Sequence, residues 1–236
     1  NASQQAFTNS SSIVIETYVH IVNNSSRVED GYVSNQTIAD QLTVMNARFS
    51  PSRIAFSLKG ITRAINGRWA VAPNETDDLA MRKTLRTGDY KALNLYIQAD
   101  AGEGLLGECY YPDNVEPNSD DFFRDGCKIK AATLPGGADA GNNRGITTVH
   151  EVGHWFGLMH TFEGGCEGNG DFVDDTPAEK EATYQCTVGL DTCPDQPGLD
   201  SIHNYMAYTN DDCIDELGEF TPGQIARMHA QWSEFR

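Results

Sequence analysis

Histidines at 150, 154 and 160, a glutamate at 151 and a glycine at 157 are the residues of this chain whose types and spacing point most directly to chemistry. Residues four apart on an α-helix share a face, so His150 and His154 direct two imidazoles to one point. Glu151 sits beside that point, angled to reach a metal-bound water and not the metal. Gly157 is free to take positive φ and turn the chain, so that His160 returns to the point from outside the helix. Three neutral imidazoles leave a fourth position open, the mark of a catalytic zinc as opposed to a closed structural one. Zinc lowers the pKa of its bound water towards ~7 and polarises a carbonyl. Glu151 is then placed to take the water proton and pass it to a leaving amine. A lone H-E-x-x-H is common, and a histidine in an apolar helix is usually only packed. Five positions fixed together arise by chance in about one of 10⁵ chains of this length at average residue usage. His20, His203 and His229 stand outside the constellation and read as surface or hydrogen-bonded histidines.

The elements that must position these residues are legible in outline. Apolar residues at Ile146, Val149, Val152 and Phe156 make Gly145–Phe156 a helix that Gly157 ends. Ahead of it, Ile13–Val22 is rich in β-branched residues and reads as a buried strand. Ser34 or Asn35 caps a helix carrying Ile38, Leu42, Met45 and Phe49, which Ser50–Pro51 ends. Ile54, Phe56 and Leu58 alternate as a strand, as do Leu93, Leu95 and Ile97, with a helix around Asp78–Leu85 between them. This β-α-β-α-β order predicts an α+β fold, a twisted mixed sheet with two long helices packed on it. Beyond His160, Gly, Asp, Pro, Thr and Cys dominate until Thr221–Pro222–Gly223–Gln224 caps a final helix with Ile225, Met228 and Trp232 on its apolar face. The 236 residues are therefore expected to form a single catalytic domain. Its regular N-terminal subdomain is 1–160, and its loop-rich, disulfide-pinned C-terminal subdomain is 161–236.

Seventeen basic against 34 acidic residues leave a net charge of −17. Such a surface repels nucleic acid and anionic membranes and tolerates cationic peptides and calcium, although acidity also simply keeps an extracellular protein soluble. Six cysteines with no C-x-x-C pair argue for disulfides in an oxidising compartment and leave fifteen connectivities open. Asn1, Asn9, Asn23, Asn24, Asn35 and Asn74 each begin N-x-S/T, which together argue for a secreted glycoprotein. No apolar stretch approaches the ~20 residues of a membrane span. The opening Asn-Ala-Ser-Gln-Gln is no signal peptide, so the chain reads as a mature form from which targeting and any pro-segment have been removed.

H-E-x-x-H-x-x-G-x-x-H followed by a methionine turn, here Asn204–Tyr205–Met206–Ala207–Tyr208, resembles the metzincin signature. Gly104–Leu105–Leu106–Gly107, Asp171–Phe172–Val173–Asp174–Asp175–Thr176–Pro177 and Phe220–Thr221–Pro222–Gly223–Gln224–Ile225–Ala226–Arg227–Met228 extend it over most of the chain, and it is most similar to small secreted fungal and microbial pappalysins. The resemblance implies a zinc endopeptidase with Met206 as a hydrophobic floor below the zinc and Tyr208 stabilising the oxyanion; without it both read as core residues. The chain is expected to be a monomer. The resemblance implies that the edge around Leu105, Leu106 and Gly107 pairs with substrate backbone, a mode that holds extended peptides of almost any sequence. It further implies calcium at Asp171, Val173 and Thr176, whose hard oxygens suit that ion. The cysteines would pair as Cys166–Cys193 and Cys186–Cys213, leaving Cys109–Cys127. Asp212 falls where relatives that cut before Lys or Arg carry an acidic residue at the floor of the S1′ pocket, though neighbouring Asp211 leaves the register open. Two features depart from the pattern: Ala207 stands where an aspartate is usual, removing a local hydrogen bond, and Asp215–Glu219 is longer than expected at the rim. A secreted binding module that keeps the fold without turnover is the competing class, but such losses fall in the zinc ligands or the glutamate, which are intact here.

Overall fold

The computed structural model describes residues 12–71, 74–102, 104–214 and 217–236. The sequons at Asn1 and Asn9 and the Asp215–Glu216 part of the rim segment lie outside them. Strand β1 (Ile13–Asn23) is the second strand of a five-stranded sheet of order β2-β1-β3-β5-β4. β2 (Ile54–Ile65), β3 (Leu93–Gln98) and β5 (Cys127–Lys130) run parallel to it or to each other, and the short edge strand β4 (Gly107–Cys109) runs antiparallel to β5. β3 is buried on both faces and reads as an unbroken buried run, as parallel strands beneath helices do. β2 is buried at Ile54 and Phe56, but Leu58 is exposed. The alternation read from Ile54 to Leu58 stops at Leu58 itself, on the outermost strand; the β1–β2 register slips just after it, between Thr17 and Tyr18, and the strand runs on to Ile65.

Helix α1 (Asn35–Phe49) begins at Ser34, whose Oγ accepts from the Thr37 N–H at 3.0 Å, and buries the expected Ile38, Leu42, Met45 and Phe49. α2 (Gly67–Ala70) is short. α3 (Glu75–Leu85) starts three residues before the expected Asp78, because Asn74 accepts from the Asp77 N–H and caps it. Neither α2 nor α4 (Asp120–Arg124) is legible from periodicity; each is about one turn long. The motif helix α5 (Ile146–Trp155) is buried along its whole length against the sheet and α1. Gln41 of α1 donates to the Gly145 carbonyl at its start. Behind it, the Trp155 indole N–H donates to Asp125, which also pairs with Arg86 and Arg236 at 3.0 and 2.8 Å.

After α5 the chain is mostly turns, with α6 (Asp211–Ile214) and α7 (Pro222–Phe235). α7 opens with the expected capping box between Thr221 and Gln224. Disulfides join Cys109–Cys127, Cys166–Cys193 and Cys186–Cys213, the pairing the resemblance implies. No helix among the described residues is long and apolar enough to cross a membrane.

Candidate metal centre and cleft

His150 and His154 lie one turn apart on α5. The helix then closes with the Gly157 N–H on the His154 carbonyl (2.8 Å) and the Leu158 N–H on the Gly153 carbonyl (3.0 Å), with Gly157 at φ +85°. That pair of bonds is the Schellman arrangement, which only a residue at ease with positive φ completes cheaply. It reverses the chain and brings His160 back. The Nε2 atom of His154 lies 3.1 Å from those of both His150 and His160.

The other ring nitrogens settle what that convergence means. His150 Nδ1 is 2.7 Å from the Tyr205 carbonyl and His154 Nδ1 is 2.7 Å from the Leu158 carbonyl. A carbonyl only accepts, so each Nδ1 carries the proton and each Nε2 presents a bare lone pair. Two bare nitrogens at 3.1 Å have no hydrogen between them, so their approach fits a cation held in common. Backbone partners of this kind orient imidazoles in metal sites. Burial depresses the pKa of all three rings, that of His160 to about 4, so all are neutral at pH 7. His20, His203 and His229 bond instead to Asn94, the Cys213 carbonyl and the Ser52 carbonyl.

Glu151 is buried. Burial and the nearby Glu108 push its carboxyl up to about 8, against the pull of the Cys109 backbone N–H. The carboxylate lies against Gly107, where an added Cβ would stand 2.6 Å from Glu151 Cγ. This approach explains the glycine at the start of β4 more directly than contact with a ligand does. β4 is the terminal strand, with Leu106 still accepting from the Lys130 N–H and Leu105 exposed.

Met206 is fully buried, and a Cβ at Gly153, between the two helical ligands, would collide with its sulfur. The turn that carries it hangs on an amide pair that sequence reasoning missed: Asn204 and Gln224 exchange hydrogen bonds of 2.8 and 3.0 Å. Gln224 is the capping-box residue of α7, and Asp175 accepts from the Thr221 hydroxyl and Gly223 N–H at the same helix start. The legible signal was the capping box; its second use was not. Ala207, in place of the usual aspartate, is buried and lines the cleft. Tyr208 is exposed at the cleft, its ring 4.8 Å from that of His160, and partial burial and Glu151 raise its pKa.

A cavity of about 480 Å³ opens beside His150 and Glu151, lined also by Leu105, Leu106, Gly107 and Tyr208. Of the two adjacent aspartates, Asp211 is buried and lines it. Asp212 points away to an exposed ion pair with Arg144 and is not part of the lining. Asp171, Val173 and Thr176 do come together. The Thr176 hydroxyl oxygen is 2.7 and 2.9 Å from the two Asp171 carboxylate oxygens and 2.8 Å from the Val173 carbonyl, and burial raises the Asp171 pKa.

Over residues 76–233 the chain matches the peptidase family described as pregnancy-associated plasma protein-A. It is 47% identical over 236 residues to an extracellular metalloprotease of Colletotrichum graminicola, covering 100% of this chain and 82% of that protein. To an extracellular metalloprotease of Pyricularia oryzae it is 50% identical over 226 residues, covering 96% and 77%. The fold is similar to Tannerella forsythia mature mirolysin in complex with a cleaved peptide, with TM-score 0.74 and 26% identity over 93% of this chain and 91% of that one. It is also similar to mirolysin in complex with a compound, at TM-score 0.79 and 27% identity over 94% and 92%. With a three-imidazole centre, a buried glutamate beside it and this set of relatives, the chain belongs to the pregnancy-associated plasma protein-A family of peptidases, the pappalysins, and is a metalloprotease.

Proposed function

We propose that the protein is a secreted zinc endopeptidase, a single catalytic domain with subdomains 1–160 and 161–236, that cleaves extended peptides with Glu151 as general base. The observation that carries this reading is the pair of bare Nε2 lone pairs of His150 and His154, joined by His160, beside a buried carboxylate. When bound, zinc supplies Lewis acidity and a water of lowered pKa. Glu151 takes the proton of the attacking water as its oxygen adds to the scissile carbonyl carbon. It returns that proton to the amide nitrogen, whose bond to carbon then breaks. Burial raises the pKa of the Glu151 carboxyl, and the ionised form, which a cation on the three imidazoles would favour, is the base. The Tyr208 hydroxyl donates to the carbonyl oxygen as it gains charge. The outer edge of β4, with Leu105 and Leu106, offers backbone groups to the substrate chain. Cleavage of casein or gelatin that stops with a zinc chelator tests the reading; no cleavage by the intact protein would overturn it.

Gly107 is assigned the task of making room for Glu151. Gly107→Ala is expected to lower kcat/KM at least about tenfold while the far-UV circular dichroism stays native, since ~1.4 kcal/mol of misplacement suffices for that loss. An unchanged rate would show that the contact has no bearing on the base.

The preference for Arg or Lys at P1′ is assigned to Asp211, not to Asp212, because Asp211 lines the cavity and Asp212 is paired outside it. A charge-assisted bond in a partly desolvated slot is worth about 1.5–3 kcal/mol. Asp211→Asn should therefore cut the ratio of kcat/KM for P1′ Arg over P1′ Leu by about 10- to 100-fold, while Asp212→Asn leaves it alone. A wild-type cleavage profile dominated by apolar P1′ residues would sink the assignment. Calcium at Asp171, Val173 and Thr176 is supported by oxygen crowding. One hydroxyl hydrogen cannot serve three oxygens within 2.9 Å, whereas a hard cation takes such a set together.

A further inference from the structure

The cavity at Leu105–Gly107 and Asp211 takes in only His150 of the three histidines and leaves His154 and His160 outside its lining. On their side, the chain leaving His160 doubles back at once, with the Glu163 N–H donating to the His160 carbonyl at 3.1 Å. Phe162 lies flat on the His160 ring, centroids 4.8 Å apart and 8° from parallel. Tyr111, two residues past β4, sets its ring edge-on to His154 at 5.3 Å and stays partly exposed. None of Tyr111, Phe162 and Glu163 lines the cavity, whereas His150, Glu151 and Tyr208 do. A peptide extended along the β4 edge advances about 3.3 Å per residue, so one that fills the cavity and crosses the metal centre meets these three within a few residues.

Glu163 is exposed and enters no ion pair with a lysine or arginine among the described residues. The Tyr111 hydroxyl lies 3.2 Å from His154 Nδ1, and burial, followed by the Glu163 carboxylate, raises its pKa; Glu163 also contributes to the rise at Tyr208. Arg227, the cation within reach on this side, is committed elsewhere. Its Nε donates to the Gly157 carbonyl at 2.7 Å and its guanidinium lies over the Phe172 ring.

We propose that Glu163, flanked by Tyr111 and Phe162, forms a subsite for a lysine or arginine side chain on the amino-terminal side of the scissile bond. The assignment of that side rests on reading the Asp211 cavity as S1′. The aliphatic stem of the substrate residue lies along the two rings and its cation meets the carboxylate, as long basic side chains do on amphipathic surfaces. The enzyme then selects basic residues on both sides of the bond it cuts, in keeping with its net charge of −17.

The test is a set of peptides with one fixed primed sequence and Lys, Gln or Glu at each of the three positions before the scissile bond, cleaved by the zinc-loaded enzyme and by Glu163→Gln and Glu163→Lys. The readout is the ratio of kcat/KM within each variant, which cancels general losses. The native enzyme should favour Lys over Gln by about three- to fivefold at one position, through KM, with the preference shrinking at high salt, as for exposed ion pairs. Glu163→Gln should bring that ratio to about one, and Glu163→Lys should favour Glu instead. A native ratio near one, or the same ratio in Glu163→Gln, overturns the subsite. Failure of the native enzyme to cut any peptide strikes the reading of the whole cleft, and the subsite with it, a result distinct from cleavage without preference.

Discussion

Glu151→Ala is expected to lower kcat/KM for an extended peptide by on the order of 10⁴-fold while zinc content stays at one ion per chain. The size follows from removing a positioned proton acceptor, an effect that spans about 10²–10⁴-fold. The retained zinc follows from geometry: the three Nε2 atoms converge without Glu151, whose carboxylate is held by the Cys109 N–H and the face of Gly107. Glu151→Gln keeps the shape of the buried side chain but not its basicity, and should lose nearly as much. That variant separates proton transfer from packing. Kinetics on a quenched fluorescent peptide and metal analysis of the same samples check both halves. Substantial turnover by either variant would refute the assignment of Glu151 as base, and loss of zinc would make it a ligand.

Removing zinc with a zinc-selective chelator should abolish cleavage and soften the fold, with added zinc restoring both. Where free zinc exceeds its Kd about a thousandfold, binding contributes ~4 kcal/mol, or about 10 °C in Tm for a chain of this size. The chelated protein should also become acid-sensitive in a definite window. Burial lowers the pKa of His150, His154 and His160 in the folded chain below the ordinary ~6.5. Between those values the unfolded chain binds more protons, so stability falls as pH falls. The contribution of the neutral rings is fully present above about pH 6.5 and is lost progressively towards pH 4, where His160 titrates. Thermal melts of chelated and zinc-loaded protein across that range measure it. The Glu151 carboxyl, pushed up from 4.5 to about 8, acts in the opposite sense over the same range, so the decisive sample is chelated Glu151→Gln: a Tm that does not fall from pH 7 to pH 5 in that variant would contradict the neutral-imidazole assignment.

The features legible in the sequence are those that depend on near neighbours. The Thr221–Gln224 capping box, the Ser34 cap, the stripe of Ile38, Leu42, Met45 and Phe49, and the reversal at Gly157 all rest on hydrogen bonds or periodicities within about one or two turns. Short helices such as Asp120–Arg124 escaped, because a single turn has too few residues to show a period. The aspartate facing the cleft was undecided for a similar reason. Asp211 and Asp212 have the same chemistry, and only the packing of α6 against Gly141 and Arg144 turns one inward and the other out.

The spacing of His150, Glu151, His154, Gly157 and His160 by itself determined that three imidazoles and a carboxylate would meet, since helix geometry and one positive-φ residue suffice for that. The tertiary structure alone decided what state they meet in. The proton on His150 Nδ1 is held by a carbonyl 55 positions away, at Tyr205. Glu151 is pressed against Gly107 from a different strand, and the methionine turn hangs from Gln224 of the last helix. Tautomer, burial and the shape of the cleft are properties of contacts between distant segments. They arise only when the hydrophobic core closes and removes these polar groups from water, leaving them no partners but one another.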